Sequence, residues 1–472
     1  MEKETKVTEL PHIVFLTSPG MGHLIPFAEL ATRLACHHGF SATFLTFTNF
    51  SSPRQSNFLA TLHPNISTVY LPFIPLDDIP NNAHLVTILG TLFTRSVPHV
   101  RDALVSLKQR TRLAAFVPDL FGSNLLPVAK ELSVPHYIFF SCNCMVLLFF
   151  FHFPSLHTTT TCEYRDLPEP FHLPGCLPLP GKDFIEPVMD RKSDTYSWTL
   201  QVMRGHTSAQ GILVNSFETL EPGASKALQN EEEKHPPIYL VGPLIRSGLD
   251  EADELGCVEW LDQQPNCSVL FVSFGSGGTL SMKQTTELAF GLEASGHRFL
   301  WVVRCPNDSD KSATYFNVES PDDPQNYLPE SFVNRNKNKG MVVPSWAPQV
   351  KVLSHKATGG FLSHCGWNST LESVGHGVPL IAWPLYAEQR MNALMLVDGA
   401  GIAVRPVALE DGVVERGEVA RIVCELMDGE RGKVARCKVK ELQEAGISAL
   451  SPEGPSHLAL TKVANQWKVA IN

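Results

Sequence analysis

The chain has 472 residues, 43% of them apolar and 18% charged, and 38 basic against 48 acidic side chains leave a net charge of −10. That length suits two large domains with full cores. An acidic balance with no run of five or more Lys/Arg argues against a nucleic-acid face, and eleven scattered cysteines without a framework spacing argue against a disulfide-stapled module.

The opening MEKETKVTELPH is polar and mixed in charge, unlike a signal peptide, so a cytoplasmic protein is expected. The N-x-S/T patterns at Asn49, Asn65, Asn266, Asn307 and Asn368 are then expected to stay bare. His12–Leu16 predicts a strand, Thr17–Gly22 a glycine turn, and Leu24, Phe27, Leu30, Ala31 and Leu34 the apolar face of a helix. Further strands are predicted at Ala42–Phe47, Ile66–Leu71 and Leu113–Val117, the last ending at Pro118-Asp119 before a helix through Leu125, Val128 and Ala129. The apolar stretch 137–153 is interrupted by Asn143 and His152 and flanked by Pro135 and Pro154. It reads as a buried strand running into a core helix, not as a membrane span. Within it, Cys142 and Cys144 have no second pair at zinc-ligand spacing, so buried thiols and no metal are expected.

Residues 155–200 carry six prolines and predict an irregular, pocket-walling excursion with short helices. A strand follows at Gly211–Asn215, Pro236–Val241 brings the first domain toward its end, and the glycine-and-acid-rich 242–256 reads as a linker. The second half repeats the pattern. A strand at Val269–Phe274 leads into the turn Gly275–Thr279 and a helix through Leu288 and Leu292, and another strand covers Phe299–Val303. An exposed loop is predicted for 305–327, short strands at Met341–Val343, Gly360–Leu362 and Leu380–Trp383, and helices at Glu415–Glu425, Arg431–Ala445 and Ser456–Trp467. Strand–helix alternation in both halves predicts parallel sheets covered on both faces.

Chemistry gathers at strand ends in such sheets. His23 follows a glycine turn after the first strand and Asp119 directly follows another, so an aspartate could fix the tautomer of a histidine base. The bland alternative is a capping histidine and a surface aspartate. PGMGH lacks the third glycine of a dinucleotide fingerprint, Ile25 standing in its place, and no G-x-S-x-G or Walker A sequence is present. The richest run is Trp346–Gln389. His364 and Ser369 flank a turn that opens a helix, where backbone N–H groups and the helix dipole suit a diphosphate. Glu372 on that helix suits the hydroxyls of a ribose, Trp346 a base, and the Glu388-Gln389 pair a sugar; Trp367 and Trp383 read more simply as core residues.

This run, with its opening WAPQ, its central HCGWNS, Glu372 and its closing EQ, resembles the signature box of plant secondary-product UDP-glycosyltransferases. GMGH at 20–23 and Asp119 extend the resemblance over the whole chain. It implies a two-domain α/β GT-B fold, with an N-terminal acceptor domain (1–243), a linker (244–257), a UDP-sugar domain (258–455) and a last helix (456–472) packing back on the first domain. It implies a base dyad of His23 and Asp119. On the donor side, Trp346 would stack on uracil and Gln349 would bond in the uridine region. Ser276, His364, Asn368 and Ser369 would hold the diphosphate, Trp367 would flank the sugar–phosphate end, and Glu372 would hold ribose. Glu388 and Gln389 would grip the sugar, Gln389 favouring UDP-glucose over UDP-galactose.

Segments such as SPGMGHLIPFAEL and VSFGSGGTLS look like the hydroquinone, chlorophenol and monolignol glucosyltransferase branch, and indoxyl is a further acceptor. By match, Phe121, Phe150 and Phe184 would line the acceptor pocket. The chain departs from that branch at SCNC (141–144) and in the loop near 81–90, both on the acceptor side. The implied reaction is one in-line displacement giving a β-glucoside and UDP, in a monomer without cofactor or metal. Asp308 and Asp310 form a D-x-D but lie in the polar loop and read as solvated. The alternatives are a flavonoid O-glucosyltransferase and a non-catalytic nucleotide-sugar-binding protein.

Overall fold

The computed structural model describes residues 10–80, 83–230, 234–246, 252–312, 315 and 323–471. The strands are β1 (Pro11–Leu16), β2 (Ser41–Phe47), β3 (Ile66–Leu71), β4 (Arg112–Pro118), β5 (Ile138–Phe140), β6 (Ile212–Val214) and β7 (Ile238–Leu240). In the second half they are β8 (Val269–Ser273), β9 (Arg298–Val303), β10 (Gly340–Pro344), β11 (Thr358–Ser363), β12 (Leu380–Ala382) and β13 (Ala403–Val404). All pair in parallel.

The first half is ordered β3-β2-β1-β4, and single bridges Phe116–His136 and Asp119–Phe139 carry it on to β5-β6-β7. The second is ordered β10-β9-β8-β11-β12-β13. Counted within its own half, each sheet therefore runs third, second, first, fourth, the order of doubly wound nucleotide-binding folds. This is the two-domain GT-B architecture expected from the sequence.

Each sheet is covered on both faces, and runs of apolar residues in its inner strands divide between the two sides. In β1, Ile13 and Phe15 join one buried cluster, Val14 and Leu16 the other. In β8, Val269 and Phe271 likewise oppose Leu270 and Val272. This is the two-residue period of a strand buried on both sides. The last helix, Pro455–Val469, adds Leu460, Val463, Ala464 and Trp467 to the cluster under β1, with Trp467 edge-on to Tyr137 at 5.2 Å.

Three segments differ from the sequence reading. The stretch near 81–90 is not a loop from Leu85 onward but the start of a 26-residue helix, Leu85–Arg110. Gly90 and Pro98 lower its intrinsic propensity, yet Val86, Leu89, Phe93, Val100, Leu104 and Leu107 bury one stripe, and His84 Nδ1 accepts the Val86 N–H at 3.2 Å. Gly90 is needed there, since a Cβ would stand 2.4 Å from the Trp198 indole. The 155–200 excursion begins late, because the helix Cys144–Thr159 continues through Pro154, and it ends in a second helix, Asp194–Gly205. In the 305–327 loop Asp308 and Asp310 are exposed, but Tyr315 is half-buried, its ring against Gly20 and its Cα against Gly277, where side-chain-free positions leave a slot. Residues 81–82, 247–251, 313–314 and 316–322 of the predicted loops and linker lie outside the described residues.

Candidate active site

Sheets of this order open a crevice where the strand order reverses, beside the first strand at its carboxyl end. In the first half that point lies between β1 and β4, and these strands deliver His23 and Asp119. In the second it lies between β8 and β11, which deliver Ser276 and His364. All four residues picked out from sequence thus stand at switch points.

His23 sits in the first turn of the helix Met21–His38, which starts at Gly20 with φ 112. Its Nδ1 is 2.8 Å from Asp119 Oδ2. Asp119 is fully buried, and Oδ2 also accepts from Ser18 Oγ at 2.8 Å and Ser18 N at 3.3 Å, while Oδ1 accepts the Phe121 N–H at 3.3 Å. Burial pushes its pKa up, but the His23 charge and the bonds from His23 and Ser18 outweigh this, and the net shift is down. The carboxylate therefore stays ionised, and in the neutral imidazole it selects the tautomer of His23 with the proton on Nδ1 and the lone pair on Nε2. For His23, burial pulls the pKa down, while Asp119 and then Glu388 push it up and prevail. Glu388 belongs to the other half, so the two switch points share one electrostatic field. Ser141 Oγ lies 3.3 Å from His23 Nδ1, and the Phe121 ring centroid 5.6 Å from that of His23.

The residues of the second half also converge. Gln349 Nε2 donates to Ser369 Oγ at 2.9 Å and to Glu372 Oε2 at 2.5 Å, and Asn368 Nδ2 donates to Glu372 Oε1 at 3.1 Å. His364 is buried, and burial followed by the charge of Arg304 lowers its pKa to about 3, so the ring is neutral. The helix Trp367–Gly375 begins at Gly366 without a side-chain cap, leaving its first N–H groups for a ligand. Gln389 Oε1 accepts from Leu385 N (2.8 Å) and Tyr386 N (3.0 Å), which turns its amide nitrogen into the group available to a sugar. Glu388 accepts from Asn392 Nδ2 at 3.1 Å, and burial raises its pKa. Three non-glycine residues with left-handed backbone punctuate the site: Ser345 (φ 58) before Trp346, Cys365 (φ 65) after His364 and Ala387 (φ 53) before Glu388. Such strain persists where surrounding contacts over-determine it.

Trp367 and Trp383 are buried as core residues. The Trp367 indole N–H donates to the Asn215 carbonyl in the first half at 2.7 Å, so its contribution to a ligand is confined to its backbone and ring edge. Of the three phenylalanines proposed for the acceptor wall, Phe121 is half-buried beside His23 and 5.8 Å from Trp198. Phe150 packs edge-on against Phe140 and His206, and Phe184 is fully buried among Phe149, Tyr164 and Phe171. Sequence reasoning missed Ser18, Ser141, Arg304 and Arg54. The Arg54 guanidinium reaches across from the first half and lies 3.5 Å from the Trp346 ring centroid. Among the described residues no group of three or more His, Cys, Asp or Glu is arranged to hold a metal ion. Nor is any helix among them long and apolar enough to cross a membrane.

Residues 245–417 match the family model described as UDP-glucoronosyl and UDP-glucosyl transferase. The chain is 50% identical over 464 residues to a hydroquinone glucosyltransferase of Rauvolfia serpentina, across 98% of this chain and 99% of that one. Phytolacca americana UGT2, solved with UDP-2fluoro-glucose and pterostilbene, shares the fold with a TM-score of 0.89 and 48% identity, over 97% of this chain and 100% of that one. A Polygonum tinctorium UDP-glucosyltransferase capable of glucosylating indoxyl, solved with 3,4-dichloroaniline, gives 0.90 and 46%, over 97% and 99%. With such identity along nearly its whole length, the chain belongs to the UDP-glucoronosyl and UDP-glucosyl transferase family.

Proposed function

We propose that the protein transfers glucose from UDP-glucose to the hydroxyl of a small phenolic or indolic acceptor, with inversion at C1. The observation that carries this reading is the pair formed by His23 and the fully buried Asp119, 2.8 Å apart and within the field of Glu388 from the other half. The relatives named above support the substrate classes. Nε2 of His23 takes the acceptor proton as the acceptor oxygen bonds to C1; the bond from C1 to the diphosphate oxygen breaks, and UDP leaves with the electron pair. Asp119 stabilises the imidazolium. The first N–H groups of the helix Trp367–Gly375, with His364, Asn368, Ser369 and Ser276, receive the charge developing on UDP. Trp346 stacks on uracil beside Gln349, Glu372 accepts the ribose hydroxyls, and Glu388 and Gln389 hold glucose. Phe121, with Phe150 and Phe184 further back in the packing, forms the aromatic side of the acceptor pocket.

A screen of purified enzyme with UDP-glucose against hydroquinone, coniferyl alcohol, a chlorophenol, indoxyl and a flavonol tests the reading. The highest kcat/KM is expected for a single-ring phenol or indoxyl, with a β-linked product. UDP binding without product across the panel would overturn it, and a preference for the flavonol would overturn the acceptor class. Glu372→Ala removes two charge-assisted acceptor sites and should weaken UDP by about 10–100-fold by calorimetry. An unchanged Kd would remove Glu372 from the ribose. The eleven cysteines, all free, support a reducing compartment and hence the cytoplasm. We read the active species as a monomer, since each chain carries both half-sites.

A further inference from the structure

Arg304 directly follows the apolar strand β9 and is only 9% exposed. Its Nη1 donates to the Ser276 carbonyl at 2.5 Å and its Nη2 to the Ser345 carbonyl at 2.8 Å. The guanidinium therefore ties the glycine turn after β8 to the strained turn that presents Trp346. Carbonyls orient such a fork but do not cancel its charge.

Next to it stands His364, whose Nδ1 is buried without a hydrogen-bond partner. The opposite edge of that ring is wedged between Gly275 and Gly366, where a Cβ at either position would come within 2.4 Å of ring atoms. The imidazole cannot back away, and being neutral it has one N–H to give. Arg54, on the first half and over the Trp346 ring, adds a second cation whose charge is felt at Arg304. One guanidinium, a neutral imidazole and an uncapped helix end thus converge on one corner, with a second guanidinium in electrostatic reach of the first, and a diphosphate is the ligand chemistry that fits them.

We propose that Arg304 is a donor-binding residue whose guanidinium, clamped between the Ser276 and Ser345 carbonyls, supplies the fixed positive charge for the diphosphate of the nucleotide-sugar and for the departing UDP. This rests on the donor-site reading above. The division of labour it implies is specific: Arg304 provides charge, and His364 a hydrogen bond without charge.

Calorimetric titration of uridine, UMP and UDP into wild type, Arg304→Met and Arg304→Lys tests this. In wild type, affinity should climb from uridine to UDP; if it does not, the donor-site reading itself fails. In Arg304→Met, UDP should weaken by about 10–100-fold, as for a lost charge-assisted pair, while uridine stays within about threefold. Arg304→Lys keeps the charge and loses the fork, so it should recover part of the UDP affinity with little change for uridine. Equal weakening of uridine and UDP in both variants would reduce Arg304 to a staple between two turns, and unchanged UDP affinity in Arg304→Met would overturn the proposal outright. Should Arg304→Met fail to fold, Arg304→Lys decides through the salt dependence of UDP binding. A slope like wild type is expected, and a UDP loss that adding salt does not alter would overturn the charge role.

Discussion

His23→Ala should lower kcat/KM for a weakly acidic acceptor such as hydroquinone by about 10²–10⁴-fold, the usual contribution of a positioned general base, and leave UDP affinity unchanged. The second half of the statement follows from geometry. His23 is held by Asp119 and Ser141 of its own half, whereas the Gln349–Glu372–Asn368–Ser369 cluster lies wholly in the other. A nitrophenol, already partly ionised at neutral pH, depends less on a base and should lose far less. Equal losses for both acceptors would show that the substitution had disturbed binding, and undiminished transfer to hydroquinone would remove His23 from the chemistry.

The second large effect concerns Asp119. His23 must be neutral to accept a proton, and its pKa is raised above the ordinary value of about 6.5 by Asp119 and Glu388 against the pull of burial. In wild type, kcat/KM should therefore fall as pH drops through that raised pKa. In Asp119→Asn the negative charge is gone, so the acid limb should move to lower pH. The plateau should nevertheless fall by about 10³–10⁴-fold, because an amide nitrogen facing Nδ1 selects the tautomer with its proton on Nε2. A limb that stays in place would mean that Asp119 does not set the His23 pKa. A shifted limb with an undiminished plateau would mean that the tautomer does not matter.

Asp119 was legible because an apolar strand runs straight into it, and His23 because it follows the glycine turn after another strand; the strand order puts those two strands side by side. The same rule points to Arg304, which follows Phe299–Val303 in the same way. It was passed over because the polar residues after it read as one exposed loop. Ser141 directly follows β5 and Ser18 stands two residues past β1, yet neither position names a role. Their roles depend on β1, β4 and β5 closing to bonding distance, and an isolated serine carries no periodicity. The phenylalanines show a different limit. Phe121, Phe150 and Phe184 are equivalent in a hydrophobic pattern, and only packing separates the one beside His23 from the two set among other rings. The helix Leu85–Arg110 was obscured by Gly90 and Pro98, a case of burial overriding local propensity. In the run 346–389, by contrast, Gln349, Asn368, Ser369 and Glu372 stand close along the chain, three of them on one short helix, so their hydrogen-bonded cluster was already readable.

Trp367 is the first residue of the helix proposed to receive the diphosphate, yet its indole N–H is bonded to Asn215 in the other half. The side chain of Asn215 in turn accepts the Leu244 N–H, where the chain leaves the first half. A ligand that tugs on that helix end therefore also tugs on the crossover between the halves. Where the proposed nucleotide site and acceptor site are coupled through this path, the linkage is reciprocal. Whatever factor UDP adds to the affinity for a phenol, the phenol must add to the affinity for UDP.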